Sequence, residues 1–444
     1  MSLPAPYFAE GGITLYQGDC LDVMRGLPEC SIDAVVTDPP YGIRFMGQSW
    51  DGADIAKATV ARRLYRSDDD PRAGELSGHY SPAIAAGKYD LSKPGLSAFQ
   101  TWSCAWGREA LRVAKPGAHL VAFCSPRTVH RLTCGLEDAG WEIRDQLLWL
   151  FGGGFPKSLN LSGDWRGWGT GLKPGYEPIV LARKPLDGTV AENMARWGTG
   201  ALHIDAGRIN MDPWTRSTTT KHDIRGGRMH AGTTDTVVNV GPQNGHVLGR
   251  WPANLLHDGS PDVLEAFPEA PGQLMDVKLD PTGRKTQRVY GAMARGHEAS
   301  AHAANNGTVG FAMKPGGRRL DCGSASRFFY CAKARPQDRG HEVWDALPLF
   351  GESEQTFVNT HPTVKPLSLM RYLLALVSRD GATVLDHFAG SGSTLVAGHH
   401  LGRCMLGVER EAEYLELATY RCRRAVSGTA RDAGGIGPEG GRHA

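Results

Sequence analysis

Apolar and polar positions fall into two rhythmic stretches separated by a long middle of different texture. In the first stretch, 12–157, Ile32–Thr37 is a short, nearly continuous apolar run, the pattern of a strand buried on both faces. Phe99, Trp102, Trp106, Ala110 and Val113 recur at helical spacing, and Lys115-Pro116-Gly117 predicts the end of that helix. A second strand is predicted over 118–124. Ser125-Pro126 then reads as a helix start, with Ser as cap and Pro in the first turn. Val129, Leu132 and Leu136 line one face of that helix, Gly140 ends it, and 143–151 follows as a third strand.

The rhythm returns at Pro366. Leu367, Met370, Leu374 and Val377 mark a helix face with Gly381 at its end, and Thr383–Asp386 is a strand. A glycine-rich turn leads into a helix from Thr394, then a strand at 404–408 and a helix at 411–424. Strands alternating with helices predict an α/β, Rossmann-like core built on a mostly parallel sheet. The middle is rich in Gly, Thr, Asn, His and Arg, with only short β-like pieces such as 177–183, and reads as an irregular insertion. The expected organisation is therefore one half of the core at 1–160, interrupted by a polar loop at 51–95; an insertion at 161–357; the second half at 358–425; and a disordered, glycine-rich tail at 426–444.

A length of 444 residues accommodates such a core plus a substantial insertion. The net charge is only +2, so any positive surface for an anionic partner has to be local. Nine cysteines without a C-x-x-C pair suit a reducing compartment and call for no metal. With no apolar run long enough for a membrane and no signal-like start, the expectation is a cytoplasmic protein.

The most informative stretch is Val35-Val36-Thr37-Asp38-Pro39-Pro40-Tyr41-Gly42. A buried strand runs into a carboxylate, two prolines and an aromatic ring, at the strand end where open α/β sheets bind ligands. Each proline has a fixed φ and no N–H, so the backbone is stiff. Asp38 and the Pro39 carbonyl can offer two acceptors to a planar amino group, and Tyr41 offers a flat face for a base. An exocyclic base amine is a poor nucleophile, because its lone pair is delocalised into the ring; accepting hydrogen bonds from it concentrates electron density on nitrogen. Such a base has to leave the duplex to reach the pocket. A strand-ending Pro-Pro turn with an incidental Asp and Tyr is the plainer alternative.

The second motif is Asp386-His387-Phe388-Ala389-Gly390-Ser391-Gly392-Ser393-Thr394. Its glycines permit close backbone approach, and Glu409, 19 residues after Gly390, is spaced to accept both hydroxyls of a ribose. No Lys follows the glycines, so it is not a phosphate loop, and Leu395 stands where a dinucleotide fingerprint has its third Gly. A sulfonium nucleoside without phosphate fits better. A tight connection in any α/β protein remains open.

Together these motifs resemble the permuted, β-class DNA amino-methyltransferases, in which D-P-P-Y precedes F-x-G-x-G with a recognition domain between. His361-Pro362-Thr363-Val364-Lys365-Pro366 and Gln17-Gly18-Asp19-Cys20-Leu21 resemble two further family segments. The resemblance implies S-adenosylmethionine as cofactor and Asp38, Pro39, Pro40 and Tyr41 as the catalytic target-base pocket. It implies cofactor contacts from Asp19, Cys20, Asp38, Thr363, Lys365, Asp386, Phe388, Ala389, Gly390, Ser391, Gly392, Thr394 and Glu409. Asp at position 38 favours adenine N6 over cytosine N4, where family members more often have Ser. His387 stands where the family often has Pro and reads as a tolerated loop residue.

The partner implied is double-stranded DNA, with Lys221, Arg225, Arg228, Arg318 and Arg319 as candidate contacts. Residues 201–345 carry 18 basic and 15 acidic side chains, so composition alone would not identify a DNA surface. A homodimer and association with a restriction system stay open. The rivals are a cytosine-N4 methyltransferase, a non-catalytic DNA-binding regulatory module, and a nicotinamide oxidoreductase.

Overall fold

The computed structural model describes residues 3–42, 93–154, 158–209, 221–222, 237–238, 249–269, 323–332 and 364–428. They fall into two compact units: Met1–Gly207 with Ala253–Leu264 and Tyr330–Ala444, and Arg208–Pro252 with Glu265–Phe329.

The first unit is an α/β core. Along the chain come β1 (Phe8–Glu10), β2 (Ile13–Gln17), α1 (Cys20–Gly26), β3 (Ile32–Thr37), α2 (Lys93–Val113), β4 (Ala114–Phe123), α3 (Val129–Ala139), β5 (Glu142–Leu150), β6 (Tyr176–Arg183) and α4 (Val190–Trp197). The second unit contributes the two-residue strands β7 (Lys221–His222) and β8 (Val237–Val238), which pair antiparallel. The core resumes with β9 (Leu255–His257), β10 (Tyr330–Cys331), α5 (Leu367–Val377), β11 (Thr383–Asp386), α6 (Ser393–His400), β12 (Cys404–Glu409) and α7 (Ala412–Val426).

One ten-stranded sheet carries the core, in the order β1-β2-β12-β11-β3-β4-β6-β5-β9-β10. Its centre is parallel: β12 pairs with β2 and β11, and β3 with β11 and β4. β6 inserts antiparallel between β4 and β5. β3 and β11 are therefore neighbours, although one lies near the start of the chain and the other near its end.

Both faces of the sheet are covered, which explains the continuous apolar runs. Alternate residues of each strand enter different cores. Ala34, Val36, Val121, Phe123, Ile179, Leu181 and Val384 pack with α5, α6 and α7. Val35, Leu120, Ala122, Val180, Ala182 and Leu385 pack with α1, α2 and α3. Trp106 of α2 is completely buried in the second core, and truncating it to Ala would cost about 3–5 kcal/mol. α2 and α3 approach closely at Gly135, where an added Cβ would stand 2.7 Å from the Gln100 carbonyl oxygen.

The structure divides the chain differently from the sequence reading. Residues 161–207 belong to the core unit, because β6 pairs with two core strands and α4 packs nearby. α2 ends at Val113, directly ahead of the Lys115-Pro116-Gly117 stop, but those three residues already belong to β4, with Gly117 at φ 76°. The Ser125-Pro126 helix start is displaced: α3 begins at Val129 after Thr128, and Ser125 instead shapes the turn before it by accepting the Thr128 and Val129 N–H groups. Most of the expected 51–95 loop and 429–444 of the tail lie outside the described residues. Among the described residues no helix is long and apolar enough to cross a membrane.

Candidate active site

Parallel strands end in a row, and the chemistry gathers at their carboxyl ends. The Thr37 hydroxyl at the end of β3 donates to Asp386 Oδ1 at the end of β11, at 2.8 Å. That bond ties the Asp-Pro-Pro-Tyr turn to the glycine loop. Both border a cavity of about 300 Å³, a volume at the lower end of the small-molecule range.

Asp19, Cys20, Asp38, Pro40, Lys365, Asp386, Phe388, Ala389, Gly390, Ser391, Thr394 and Glu409 line this cavity, so most of the residues singled out from sequence converge on it. Gly392 is not in the lining; it sits one layer behind, as the α6 N-cap at φ 77°. An added Cβ there would press on Ala418 at 3.1 Å. Thr363 lies outside the described residues.

The loop is held by carboxylates. Asp386 accepts from the Thr37 hydroxyl and, at 3.2 Å, from the Phe388 N–H. Burial pushes its carboxyl up to about 6, against the hydrogen bonds from Thr394, Thr37 and Phe388. Glu409 accepts from the Gly390 N–H at 2.7 Å and the Glu411 N–H at 2.8 Å. It thus fixes the loop, while its remaining lone pairs stay available to a ribose. Burial raises its carboxyl as well, opposed by these backbone N–H groups. Asp19 caps α1 by accepting from Leu21 N–H at 2.9 Å.

Two aromatic residues complete the wall. Phe388 lies 5.6 Å, centroid to centroid, from Trp102, which the sequence reading placed only on a helix face. His387 is 1% exposed, packs 4.8 Å from Trp106, and has no hydrogen-bond partner on either ring nitrogen among the described residues. Burial pulls its pKa down to about 3, so the ring is neutral. It is a loop residue, as read, but one buried in the cavity wall.

On the Asp38 side the structure adds a residue that the sequence did not suggest. The Tyr41 hydroxyl donates to Asp38 Oδ1 at 2.8 Å and also bonds Glu177, at the head of β6. The Lys365 ammonium donates to Asp38 Oδ2 at 2.7 Å, to the Tyr41 hydroxyl at 3.2 Å and to Glu177 at 3.3 Å. Lys365, expected to contact the cofactor, thus lines the cavity while its charge is directed at the acceptor carboxylates. Burial alone would lower its pKa, but Asp38 and Glu177 outweigh that and raise it. Burial raises the Glu177 carboxyl, with Lys365 opposing and Asp38 adding to the rise. The Tyr41 phenol is pushed well above its usual range by burial and by both carboxylates. The Thr128 hydroxyl pins the Tyr41 carbonyl at 2.9 Å.

Of the candidate DNA contacts, Lys221 lies in β7, and Arg225, Arg228, Arg318 and Arg319 lie outside the described residues. Within the second unit, the Arg208 guanidinium sits 5.3 Å from the Trp251 ring centre and Arg327 sits 4.4 Å from that of Phe328.

Comparison with known proteins places this site in context. Residues 32–420 match the family of N6/N4 methyltransferases described as DNA methylase. The type II methyltransferase M.HindIII of Haemophilus influenzae is 24% identical over 261 residues, covering 54% of this chain and 77% of that one. The type II methyltransferase M2.MboI of Moraxella bovis is 40% identical over 80 residues, 18% of this chain and 29% of that one. Among solved structures, the cytosine-N4-specific PvuII DNA methyltransferase aligns over 96% of this chain and 93% of that one, with 11% identity and a TM-score of 0.40.

Proposed function

Because the chain belongs to the DNA methylase family, we propose that it transfers a methyl group from S-adenosylmethionine to N6 of adenine in DNA, at the site formed by Asp38, Tyr41 and the 386–394 loop. The observation that carries this reading is the Thr37–Asp386 hydrogen bond, which brings the acceptor turn and the glycine loop to one cavity.

The cavity suits that cofactor. Phe388 and Trp102 offer flat apolar faces for an adenine ring, and Glu409 stands where a ribose needs acceptors. Asp19, Asp38, Asp386, Glu409 and Glu411 outnumber Lys365 and Arg410 around the lining, which favours a cationic ligand and disfavours a pyrophosphate. This weighs against the nicotinamide reading. S-adenosylmethionine supplies a methyl group activated by its sulfonium.

The protein's own part is positioning and polarisation. Asp38 and the Pro39 carbonyl accept the amino hydrogens of an extruded base, and the Pro-Pro backbone keeps the two acceptors apart. The Tyr41 ring, anchored through its hydroxyl, gives the base a stacking surface. Asp38 accepts the proton that the amine sheds once methylated. The second unit, Arg208–Pro252 with Glu265–Phe329, is the candidate for sequence recognition, and the order of the motifs along the chain fits a permuted, β-class enzyme.

Nucleoside mass spectrometry of duplex DNA treated with the protein and S-adenosylmethionine tests the assignment. N6-methyladenine is expected. N4-methylcytosine instead would keep the site and change its target, and unmodified DNA would reject the reading.

A further inference from the structure

Glu177 gives the acceptor site a second carboxylate. It heads β6, an antiparallel strand clamped between two others, and the Cys124 N–H donates to the neighbouring Pro178 carbonyl at 3.0 Å. The carboxylate is therefore mounted on rigid backbone. Around it stand Asp38 and Tyr41 from the turn after β3, Lys365 ahead of α5 and Cys124 at the end of β4. Cys124 is a neutral thiol, pushed up to about 12 by burial. Glu177 is absent from the lining of the cofactor cavity.

Two carboxylates thus share one ammonium and one hydroxyl. The Tyr41 hydroxyl has a single proton and an acceptor on either side, Asp38 Oδ1 and Glu177 Oε1. If Lys365 faced Asp38 alone, its full charge would fall on the oxygens that have to polarise the substrate amine. The Glu177 oxygen, 3.3 Å from the ammonium, draws part of that charge away.

We propose that Glu177 is a positioning residue of the acceptor site: it takes up the Tyr41 hydroxyl and shares the Lys365 ammonium, leaving the Asp38 carboxylate electron-rich toward the target amine. This rests on the methylation reading above. Protonating Glu177 leaves both the ammonium charge and the Tyr41 hydroxyl proton to Asp38, so methyl transfer slows as pH falls through the Glu177 titration.

Single-turnover methylation of duplex DNA by the full chain, run across pH, tests this with Glu177→Gln and Glu177→Asp. Glu177→Gln keeps the shape and removes the charge. The expected result is unchanged S-adenosylmethionine affinity by calorimetry, a rate lowered by about tenfold or more, and loss of the Glu177 step from the acid side of the profile. Glu177→Asp, which keeps the charge, should retain that step. A Glu177→Gln enzyme with the wild-type rate and profile overturns the proposal. So does a rate loss matched by an equal loss of cofactor affinity, which is the mark of a merely structural residue. Wild-type protein that leaves DNA unmethylated in the same assay overturns the methylation reading itself.

Discussion

The Lys365 ammonium lies 2.7 Å from the Asp38 carboxylate across a sequence separation of 327 residues. Strand order accounts for it: β3 and β11 are adjacent, so the turn after the one and the segment leading toward the other meet at the same edge of the sheet. The pair is mostly buried, with side chains 7% and 19% exposed. Removing the cation from such a pair leaves charge uncompensated. Lys365→Met should therefore raise the Glu177 carboxyl further, since Lys365 is the group that opposes its rise, and move the acid limb of the single-turnover profile to higher pH. An unshifted limb would show that the ammonium does not govern the acceptor carboxylates.

Asp386 couples the site to stability. Its carboxyl is raised from 3.8 to about 6 by burial, so the folded state holds the proton more tightly than the unfolded chain. That contribution is fully present below about pH 4 and is lost as pH rises through about 6, a swing of roughly 3 kcal/mol. Asp386→Asn should consequently melt higher relative to wild type at pH 8 than at pH 4. Thermal unfolding at both pH values checks the sign.

His387 works in the opposite direction. Its folded pKa is depressed from 6.5 to about 3, so stability is lost as pH falls below about 6.5. The ring also buries two nitrogens without partners, at a cost of about 1–3 kcal/mol. His387→Phe, set against Trp106 and Phe388, should be more stable than wild type, with an advantage that grows from pH 8 to pH 5. Denaturant titration at the two pH values would expose an advantage that shrinks instead.

Gly392 is held at φ 77° with Ala418 directly behind it. Gly392→Ala should lose about 1–3 kcal/mol of stability and weaken S-adenosylmethionine binding through the displaced loop. Calorimetric titration beside a melting curve separates the two effects. A variant unchanged in both would remove the loop's backbone geometry from the binding account.

The catalytic core was largely legible because its signals are local. Ile32–Thr37 appears with the bounds read from its apolar run, and Asp38 and the Phe388–Gly392 turn announce themselves by residue types at strand ends. What escaped was non-local. β6 looked like a fragment of an insertion because nothing along the chain says that Leu181 will face Val121 and Asp145. Glu177 was missed with it, though an acidic residue heading a strand whose last six positions are buried was the available signal. His387 was read as a tolerated loop residue, but its burial by Trp106, from a helix 281 positions away, has no trace in its own neighbourhood. The domain boundary slipped for the same reason: the core recruits strands from within the stretch that looked irregular.

On the proposed reading, Asp38 polarises a DNA amino group facing a methyl donor held by the 386–394 loop. Transfer of labelled methyl from S-adenosylmethionine to duplex DNA by Asp38→Ala, with cofactor affinity measured on the same preparation, tests it most directly. Asp38 also borders the cofactor cavity, so the comparison is made at saturating S-adenosylmethionine: the single-turnover rate should fall by about a hundredfold or more, well beyond any change in cofactor affinity. Methylation at the wild-type rate by Asp38→Ala would contradict that reading.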